Sequence, residues 1–298
     1  MAKRALFVFD WHRLTEQHLA FIISRAERYD ELIFLVDRPE ELGKSLNAGE
    51  LLTALKGIFS ARLEKPFYLF PVTGKSLPVL YHWLRWRIIC PYFSMVYIDN
   101  PIVQAQLQHV LKTPVEVFSP KDRDPLLLSA RQATRGLFIT RAQPFHAGHA
   151  AFVQQMEQEV EEVIIVVAMA NMSHQPADIA TAGERLEMIQ PWLQKVIPKR
   201  YYLVPLPYSD FTMENLYELE YLLPSFEHIY TSNPTIMAMA ATAHYSVRQL
   251  HKKMDVSSTM IRDCIVKDQS YKEYLPEIVY RYLQRSDIPG RIKKLGES

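Results

Sequence analysis

The feature that most constrains the fold is an alternation of short apolar runs with longer helical patterns in the second half of the chain. The runs at 137–140 and 163–168 carry few polar side chains, as expected of strands buried on both faces. Further strand-like runs lie at 201–204, 228–230 and 246–249, and helical patterns lie near 148–159, 182–195, 213–222 and 235–243. Strands separated by helices of this length predict a parallel sheet in a doubly wound α/β domain.

The stretch from residue 140 to residue 149 indicates where such a domain binds a ligand. It reads Thr-Arg-Ala-Gln-Pro-Phe-His-Ala-Gly-His and places His146 and His149 between a strand end and a helix start. Unpaired backbone N–H groups and the helix dipole favour phosphate at such a turn, and Gly148 lets the backbone approach a ligand closely. No third or fourth metal ligand lies nearby in the sequence. The turn therefore predicts a nucleoside triphosphate site and no protein-held metal.

A second polar turn follows the strand-like run 228–230. Ser232 and Asn233 precede Pro234, which gives a capping side chain followed by a proline that can open a helix. In doubly wound sheets, ligands bind at the carboxyl ends of the strands, beside the point where the strand order reverses. We therefore expect the two turns to line one site.

Composition limits the class of protein and its partners. A chain of 298 residues has room for one large domain or two ordinary ones. A net charge of +1 argues against nucleic acid or an anionic membrane as the main partner. The two cysteines, Cys90 and Cys264, fit a reducing cytoplasm better than a disulfide framework. The most apolar stretch, 163–170, is too short to cross a membrane, and the start of the chain lacks the apolar region of a signal peptide. We expect a cytoplasmic protein.

The chain repeats itself at an offset of 131 residues, so that Phe7 matches Phe138 and His18 matches His149. After three extra residues in the second copy, the matches continue as far as Asn100-Pro101 against Asn233-Pro234. We therefore predict two doubly wound, Rossmann-like domains in tandem, at 1–133 and 134–298.

The first copy lacks the residues that suit phosphate. The His-x-Gly-His turn becomes Thr15-Glu16-Gln17-His18, and Arg185 becomes Leu51. An acidic side chain in the turn would repel phosphate, and a cation that could hold it is gone. The prediction is that 1–133 is a degenerate domain and that 134–298 is catalytic.

Paired motifs carry a resemblance to a known family. The turn His146–His149 and the late segment 256–262, Val-Ser-Ser-Thr-Met-Ile-Arg, resemble the two signatures of the HxGH/ISSTxIR nucleotidyltransferase superfamily. Within it, the segments 140–149, 181–185 (Thr-Ala-Gly-Glu-Arg) and 231–234 (Thr-Ser-Asn-Pro) are most similar to archaeal-type nicotinamide-nucleotide adenylyltransferases. Thr140 stands where their pattern has glycine, and Ala142 where it has phenylalanine. The resemblance covers about 136–285.

The resemblance implies a direct displacement in which the phosphate of nicotinamide mononucleotide attacks the α-phosphorus of ATP and pyrophosphate leaves. Positioning and charge stabilisation would then supply the catalysis. A magnesium ion bridging the phosphates is implied, held mostly by substrate oxygens and water. The implied catalytic residues are His146, His149 and Arg262. The implied ATP- and phosphate-binding residues are Arg141, Gly148, Arg185, Asn233, Ser258 and Thr259.

The acceptor pocket departs from the family pattern. The family's asparagine and tryptophan that line the nicotinamide fall on Thr212 and Asn215 in an ungapped count from Pro205. Stacking on the pyridinium would have to come from other aromatic residues. The acceptor-binding residues implied are Ser173, His174, Tyr208 and Phe211.

Two alternatives to this function stay open from the sequence. One is a nucleotidyltransferase with another phosphate acceptor, such as phosphopantetheine or a sugar or polyol phosphate. The other is a non-catalytic nucleotide-binding regulatory protein. The expected partners are ATP and nicotinamide mononucleotide, with a homo-oligomer as a further possibility.

Overall fold

The computed structural model describes residues 2–37, 46–72, 79–108, 112–207, 212–249 and 254–296. The chain divides into two compact units. The N-terminal unit comprises Met1–Gln132 and Tyr217–Ser225, and the C-terminal unit comprises Ala133–Leu216 and Phe226–Ser298. The segment Tyr217–Ser225, which the sequence placed in the second domain, thus clusters with the first.

Five strands alternate with helices in the N-terminal unit. They are β1 (Arg4–Val8), α1 (Glu16–Ala26), β2 (Glu31–Asp37), α2 (Ala48–Arg62), β3 (Phe67–Val72), α3 (Val79–Ile89), β4 (Met95–Ile98), α4 (Pro101–Gln108) and β5 (Val115–Val117). The sheet has the order β3-β2-β1-β4-β5, and all its strand pairs are parallel.

Within the described residues, the rest of the chain forms a second five-stranded sheet and seven α-helices; residues 217–222 of the helix 213–222 belong to the N-terminal unit. The elements of this part of the chain are β6 (Arg135–Thr140), α5 (Ala147–Glu159), β7 (Glu162–Val167), α6 (Ala182–Val196), β8 (Arg200–Pro205), α7 (Met213–Leu222), β9 (His228–Thr231), α8 (Pro234–Thr242), β10 (Ser246–Gln249), α9 (Ser258–Val266), α10 (Glu277–Arg285) and α11 (Ile288–Gly296). The order is β8-β7-β6-β9-β10, again with parallel pairs throughout. Among the described residues, no helix is both long and apolar enough to cross a bilayer.

The doubly wound α/β class predicted from the sequence is confirmed. The strands of the second half lie within two residues of their predicted bounds. The apolar runs predicted β6 and β7 because helices cover these strands on both faces. The start of α8 is also confirmed, since the Asn233 side chain accepts the backbone N–H of Thr235 and Pro234 opens the helix.

The two sheets share their strand register as well as their strand order. Arg4 lies beside Glu31 in the first sheet, and Arg135 lies beside Glu162 in the second. Each pair forms an ion pair, with the arginine Nε 2.5 Å and 2.7 Å from the glutamate Oε2. Equivalent partners at an offset of 131 in both sheets are consistent with the predicted repeat.

The strand order of the C-terminal unit determines where its ligand crevice opens. The chain runs from β6 outward through β7 to β8, and then returns to β9 on the other side of β6. The crevice of such a sheet lies where the order reverses, here between the carboxyl ends of β6 and β9. Both polar turns identified in the sequence follow these two strands.

Candidate active site

A pocket of about 680 Å³ opens at the carboxyl ends of β6 and β9. Three stretches of the C-terminal unit supply its polar wall: the turn after β6, the turn after β9 and the first turns of α9. The polar lining residues are Thr140, Arg141, Gln143, His146, His149, Thr231, Ser232, Asn233, Thr235, Ser258, Thr259 and Arg262. Motifs more than 100 residues apart in sequence therefore meet at one site.

His146 and His149 cap the start of α5 reciprocally. The backbone N–H of His146 donates to Nδ1 of His149 at 3.2 Å, and the backbone N–H of His149 donates to Nδ1 of His146 at 3.3 Å. The two rings stack with their centroids 3.6 Å apart. Because each Nδ1 accepts an N–H, the hydrogen of each ring is on Nε2. The cap thus sets the tautomer of both histidines.

His149 is a neutral imidazole. Burial holds the pKa of His149 well below its usual range, and the adjacent His146 lowers this pKa further. The Nε2 of His149 lies 3.1 Å from the hydroxyl oxygen of Thr140. The same oxygen accepts the backbone N–H of Ala142 at 3.1 Å, which ties the strand end to the turn.

Gly148 makes room for the histidine pair. A Cβ at this position would lie 3.0 Å from the Nδ1 and Cε1 atoms of His146 and 3.2 Å from a methyl group of Val256. The sequence predicted that this glycine lets a ligand approach the backbone. Gly148 is buried and is not among the residues that line the pocket, so its approach to a ligand stays a prediction.

Arg141 reaches the pocket from the turn after β6, and its orientation is set by a buried acid. Its Nε and Nη2 atoms donate to the two carboxylate oxygens of Asp178, at 3.2 Å and 2.5 Å. The Asp178 side chain is only 3% exposed, whereas that of Arg141 is 46% exposed. Sequence reasoning missed Asp178, because nothing local shows that it meets an arginine 37 residues earlier.

Arg262 enters the pocket from α9, close to Arg141. Its Nη1 donates to the backbone oxygen of Gln143 at 2.9 Å, and its Nη2 donates to the Thr259 hydroxyl at 3.2 Å. Burial lowers the pKa of Arg262, and the positive charge of Arg141 lowers it further. An anion bound between the Arg141 and Arg262 guanidinium groups would relieve the repulsion of their charges. The pocket therefore suits an anion.

The first turn of α9 is tied to the turn after β6. The Ser258 hydroxyl donates to the backbone oxygen of Pro144 at 3.0 Å, and Ser257 caps the helix by accepting the backbone N–H of Met260. Ser258 and Thr259, which the resemblance predicts to bind phosphate, both line the pocket.

The position of Arg185 differs from the predicted one. Its guanidinium is fully buried and donates to the backbone oxygens of Arg141, Ala168 and Met169, at 2.7 to 2.9 Å. Burial lowers the pKa of Arg185 to about 10, so the group is still charged at neutral pH. Arg185 does not line the pocket, and its donors are directed at the loops that follow β6 and β7. The sequence could not distinguish an arginine that binds phosphate from one that satisfies buried carbonyl groups.

A buried glutamine joins the same loops, and sequence reasoning missed it. The Gln143 side chain donates to the backbone oxygen of Ala180 at 3.1 Å and accepts the backbone N–H of Ala180 at 3.0 Å. On the opposite wall, the Thr231 hydroxyl accepts the backbone N–H of Asn233 at 3.0 Å. Asn233 lines the pocket as predicted for a nucleotide-binding residue, and its side-chain oxygen caps α8.

The predicted acceptor-binding residues are not brought together with the pocket. Ser173 and His174 hydrogen-bond to each other, and the Nε2 of His174 lies 3.0 Å from Nη1 of Arg291 on α11. Neither lines the pocket. Tyr208 and Phe211 lie outside the residues that the structure describes.

The second half of the chain is similar to a known protein family and to known proteins. Residues 137–264 match the cytidylyltransferase-like family. The nicotinamide-nucleotide adenylyltransferase of Methanospirillum hungatei is 35% identical over 165 residues, which cover 55% of this chain and 94% of that protein. The enzyme of the same name from Methanococcus vannielii is 33% identical over 165 residues, which cover 55% of this chain and 95% of the relative.

Among solved structures, a bifunctional NMN adenylyltransferase/ADP ribose pyrophosphatase from Francisella tularensis, complexed with AMP and a manganese ion, is 16% identical with a TM-score of 0.45. The match covers 56% of this chain and 53% of that one. The identity with the archaeal enzymes, over nearly their whole length, shows that this chain belongs to the nicotinamide-nucleotide adenylyltransferase family.

Proposed function

We propose that this chain transfers the AMP moiety of ATP to nicotinamide mononucleotide, giving NAD and pyrophosphate. The observation that carries the proposal is one pocket that joins the start of α5 at His146 with the guanidinium groups of Arg141 and Arg262. A helix start and two converging cations suit a triphosphate, and the charge that develops on it during transfer binds them more tightly. The names of the archaeal relatives supply the acceptor.

The reaction is a single displacement. An oxygen of the mononucleotide phosphate forms a bond to the α-phosphorus of ATP, and the bond from that phosphorus to the bridging oxygen of pyrophosphate breaks. We assign His146 as a direct contact of the reacting phosphates, because it lines the pocket with its hydrogen on Nε2. Arg141 and Arg262 hold phosphate oxygens, and Ser258 and Thr259 contact the leaving pyrophosphate.

A magnesium ion would enter with the triphosphate. Among the described residues no aspartate or glutamate lines the pocket, and no group of three or more His, Cys, Asp or Glu side chains could hold a metal. Magnesium retains several waters and binds readily to substrate phosphates, so this lining fits an ion held by ATP and water. When bound, the ion neutralises phosphate charge.

We infer that the N-terminal unit is a degenerate copy without this site. Asp10 occupies the position of Arg141 at the offset of 131, so a cation is replaced by an acid. The next residue, Trp11, is buried and donates from Nε1 to the backbone oxygen of Leu35 at 2.9 Å. The ring of Phe9 lies 5.3 Å from that of Trp11, and the ring of Phe118 stacks on that of Phe21 at 4.2 Å, centroid to centroid. An acid and packed aromatic rings exclude a triphosphate.

The test is a coupled assay for NAD from ATP, nicotinamide mononucleotide and magnesium, with His146→Ala and Thr15→Ala as a matched pair. Thr15 caps α1 as His146 caps α5. We expect turnover in the wild type and in Thr15→Ala, and its loss in His146→Ala. Pyrophosphate release with another phosphate acceptor but no NAD would refute the nicotinamide assignment. ATP binding without pyrophosphate release would show a regulatory protein. The predicted homo-oligomer stays a prediction that light scattering can test.

A further inference from the structure

Arg291 on α11 contacts the loop between β7 and α6 with one side of its guanidinium and two acids with the other. Its Nη1 donates to the backbone oxygen of Ile179 at 3.1 Å and to Nε2 of His174 at 3.0 Å. Its Nη2 donates to the carboxylate of Glu184 and, at 3.2 Å, to that of Asp287. The Arg291 side chain is 14% exposed. The loop and the acids therefore depend on different nitrogens of one fork.

The two helices that Arg291 joins are themselves anchored. The apolar side chains of Ile288 and Ile292, on either side of Arg291 in the sequence, are buried and hold α11 in place. Glu184 also caps α6, since its Oε2 accepts the backbone N–H of Thr181 at 2.7 Å. Arg291 therefore ties the base of the loop to two fixed elements.

The loop folds back on itself, and Arg291 contacts both ends of that turn. The backbone N–H of His174 donates to the oxygen of Ile179 at 3.2 Å, and that of Asp178 donates to the oxygen of Gln175 at 3.0 Å. His174 has a φ of 58°, a left-handed conformation that costs a residue other than glycine free energy and persists where its surroundings hold it. Because Arg291 binds the His174 ring and the Ile179 oxygen, it stabilises this turn.

The same loop supplies two residues to the pocket region. Ala177 lines the pocket, and the buried carboxylate of Asp178 accepts two hydrogen bonds from Arg141. Arg291 is not among the residues that line the pocket, so the loop is the route by which it reaches the site. The contacts run from Arg291 to the loop, from the loop to Asp178, and from Asp178 to Arg141.

We propose that Arg291 is a positioning residue of this site: it fixes the loop 174–179, so that Asp178 aims the Arg141 guanidinium at a phosphate. The proposal rests on the proposed function, since it takes the ligand to be a nucleoside triphosphate. A guanidinium that loses its fixed direction binds phosphate less tightly, because the order that it lacks in the free protein has to be imposed on binding. The Nη1 contacts carry this effect, whereas the Nη2 contacts with the two acids stabilise the fold.

The experiment compares Arg291→Lys, Arg291→Met and the control Lys293→Met. Lysine retains a cation for Glu184 but offers one nitrogen in place of the fork, and methionine removes every donor. Lys293 lies on the same helix, is exposed and pairs with Asp268. The readouts are the dissociation constant for magnesium-ATP by calorimetry and kcat for NAD formation. We expect both Arg291 variants to weaken magnesium-ATP binding and to lower kcat, each by about threefold to tenfold. The control should stay within about twofold of the wild type.

A double-mutant cycle with Asp178→Asn tests the route of the effect. If Arg291 acts through Asp178, the double variant with Arg291→Lys binds magnesium-ATP as weakly as Asp178→Asn alone, within about twofold. A residue that only stabilises the fold would instead give losses that multiply. Multiplied losses would overturn the proposal, as would wild-type affinity in Arg291→Lys or an equal loss in Lys293→Met. Urea unfolding measures the folded fraction of each variant, and losses no larger than the decrease in that fraction would also overturn it.

The outcomes separate this proposal from the proposed function. Coupled losses of magnesium-ATP affinity at Arg291 and Asp178, in a protein that makes no NAD, would support the positioning role and refute the acceptor assignment. NAD formation in the wild type, with full magnesium-ATP affinity and full kcat in both Arg291 variants, would support the acceptor assignment and overturn the positioning role.

Discussion

The two carboxylate oxygens of Asp178 accept hydrogen bonds from Nε and Nη2 of Arg141 at 3.2 Å and 2.5 Å, so a buried acid aims a pocket arginine. We expect Asp178→Asn to lower kcat by about tenfold, because Arg141 loses its fixed orientation toward the phosphates. Asp268→Asn is the control, since Asp268 is exposed and pairs with Lys293. Steady-state kinetics with urea unfolding checks this, and an unchanged kcat in Asp178→Asn would contradict it.

Gly148→Ala tests whether the space behind His146 matters for activity. The added Cβ would lie 3.0 Å from the His146 ring, so we expect the ring to shift and kcat to fall by about tenfold. Gly290→Ala on α11 is the matched control, because in the described structure nothing beyond its own helix backbone and chain neighbours lies within 4 Å of a Cβ there. It should keep full activity and gain about 0.5 to 1 kcal/mol of stability, as alanine does over glycine in a helix. Equal activity of the two variants would argue against the role of Gly148.

Arg185→Lys tests whether Arg185 stabilises the fold by donating to buried backbone carbonyl groups. An ammonium group cannot reproduce the fork that reaches the carbonyl oxygens of Arg141, Ala168 and Met169. We expect a loss of about 2 to 4 kcal/mol in the free energy of unfolding, because buried carbonyl groups lose their donors. Arg281→Lys on the exposed face of α10, where Arg281 pairs with Glu277, should cost less than about 0.5 kcal/mol. Urea unfolding measures both, and similar losses would refute the assignment.

The lowered pKa of His149 predicts acid sensitivity. In the unfolded chain a histidine binds a proton below about pH 6.5, whereas folded His149 stays neutral well below that value. The unfolded state therefore binds more protons in this range, and the free energy of unfolding falls as pH drops below about 6.5. We expect the free energy of unfolding to fall less between pH 7.5 and pH 5.5 in His149→Gln than in the wild type, because the variant lacks this group. Urea unfolding of wild type and His149→Gln at both values checks this; equal pH dependence in the two proteins would contradict it.

The sequence alone was sufficient for the local features of the C-terminal unit. Apolar runs predicted its inner strands β6 and β7, since a strand covered by helices on both faces carries mostly apolar side chains. The cap of α8 followed in the same way, because its start depends on a side chain that bonds a backbone group two residues away. The class of fold and the position of the site at the strand ends followed from these local signals.

Only the tertiary structure decided which polar residues line the pocket and which are buried against backbone groups. By resemblance, Arg141 and Arg185 were both phosphate-binding candidates, yet Arg185 is fully buried against carbonyl groups, whereas Arg141 lines the pocket. Asp178 meets Arg141 from 37 positions away, and Thr140 gains its place from a histidine on the next helix. Such contacts depend on the path of the backbone through space, which hydrophobic periodicity does not specify. The sequence therefore determined the scaffold and the region of the site, and the packing of loops between β6, β7 and α9 determined the direction of each hydrogen bond within it.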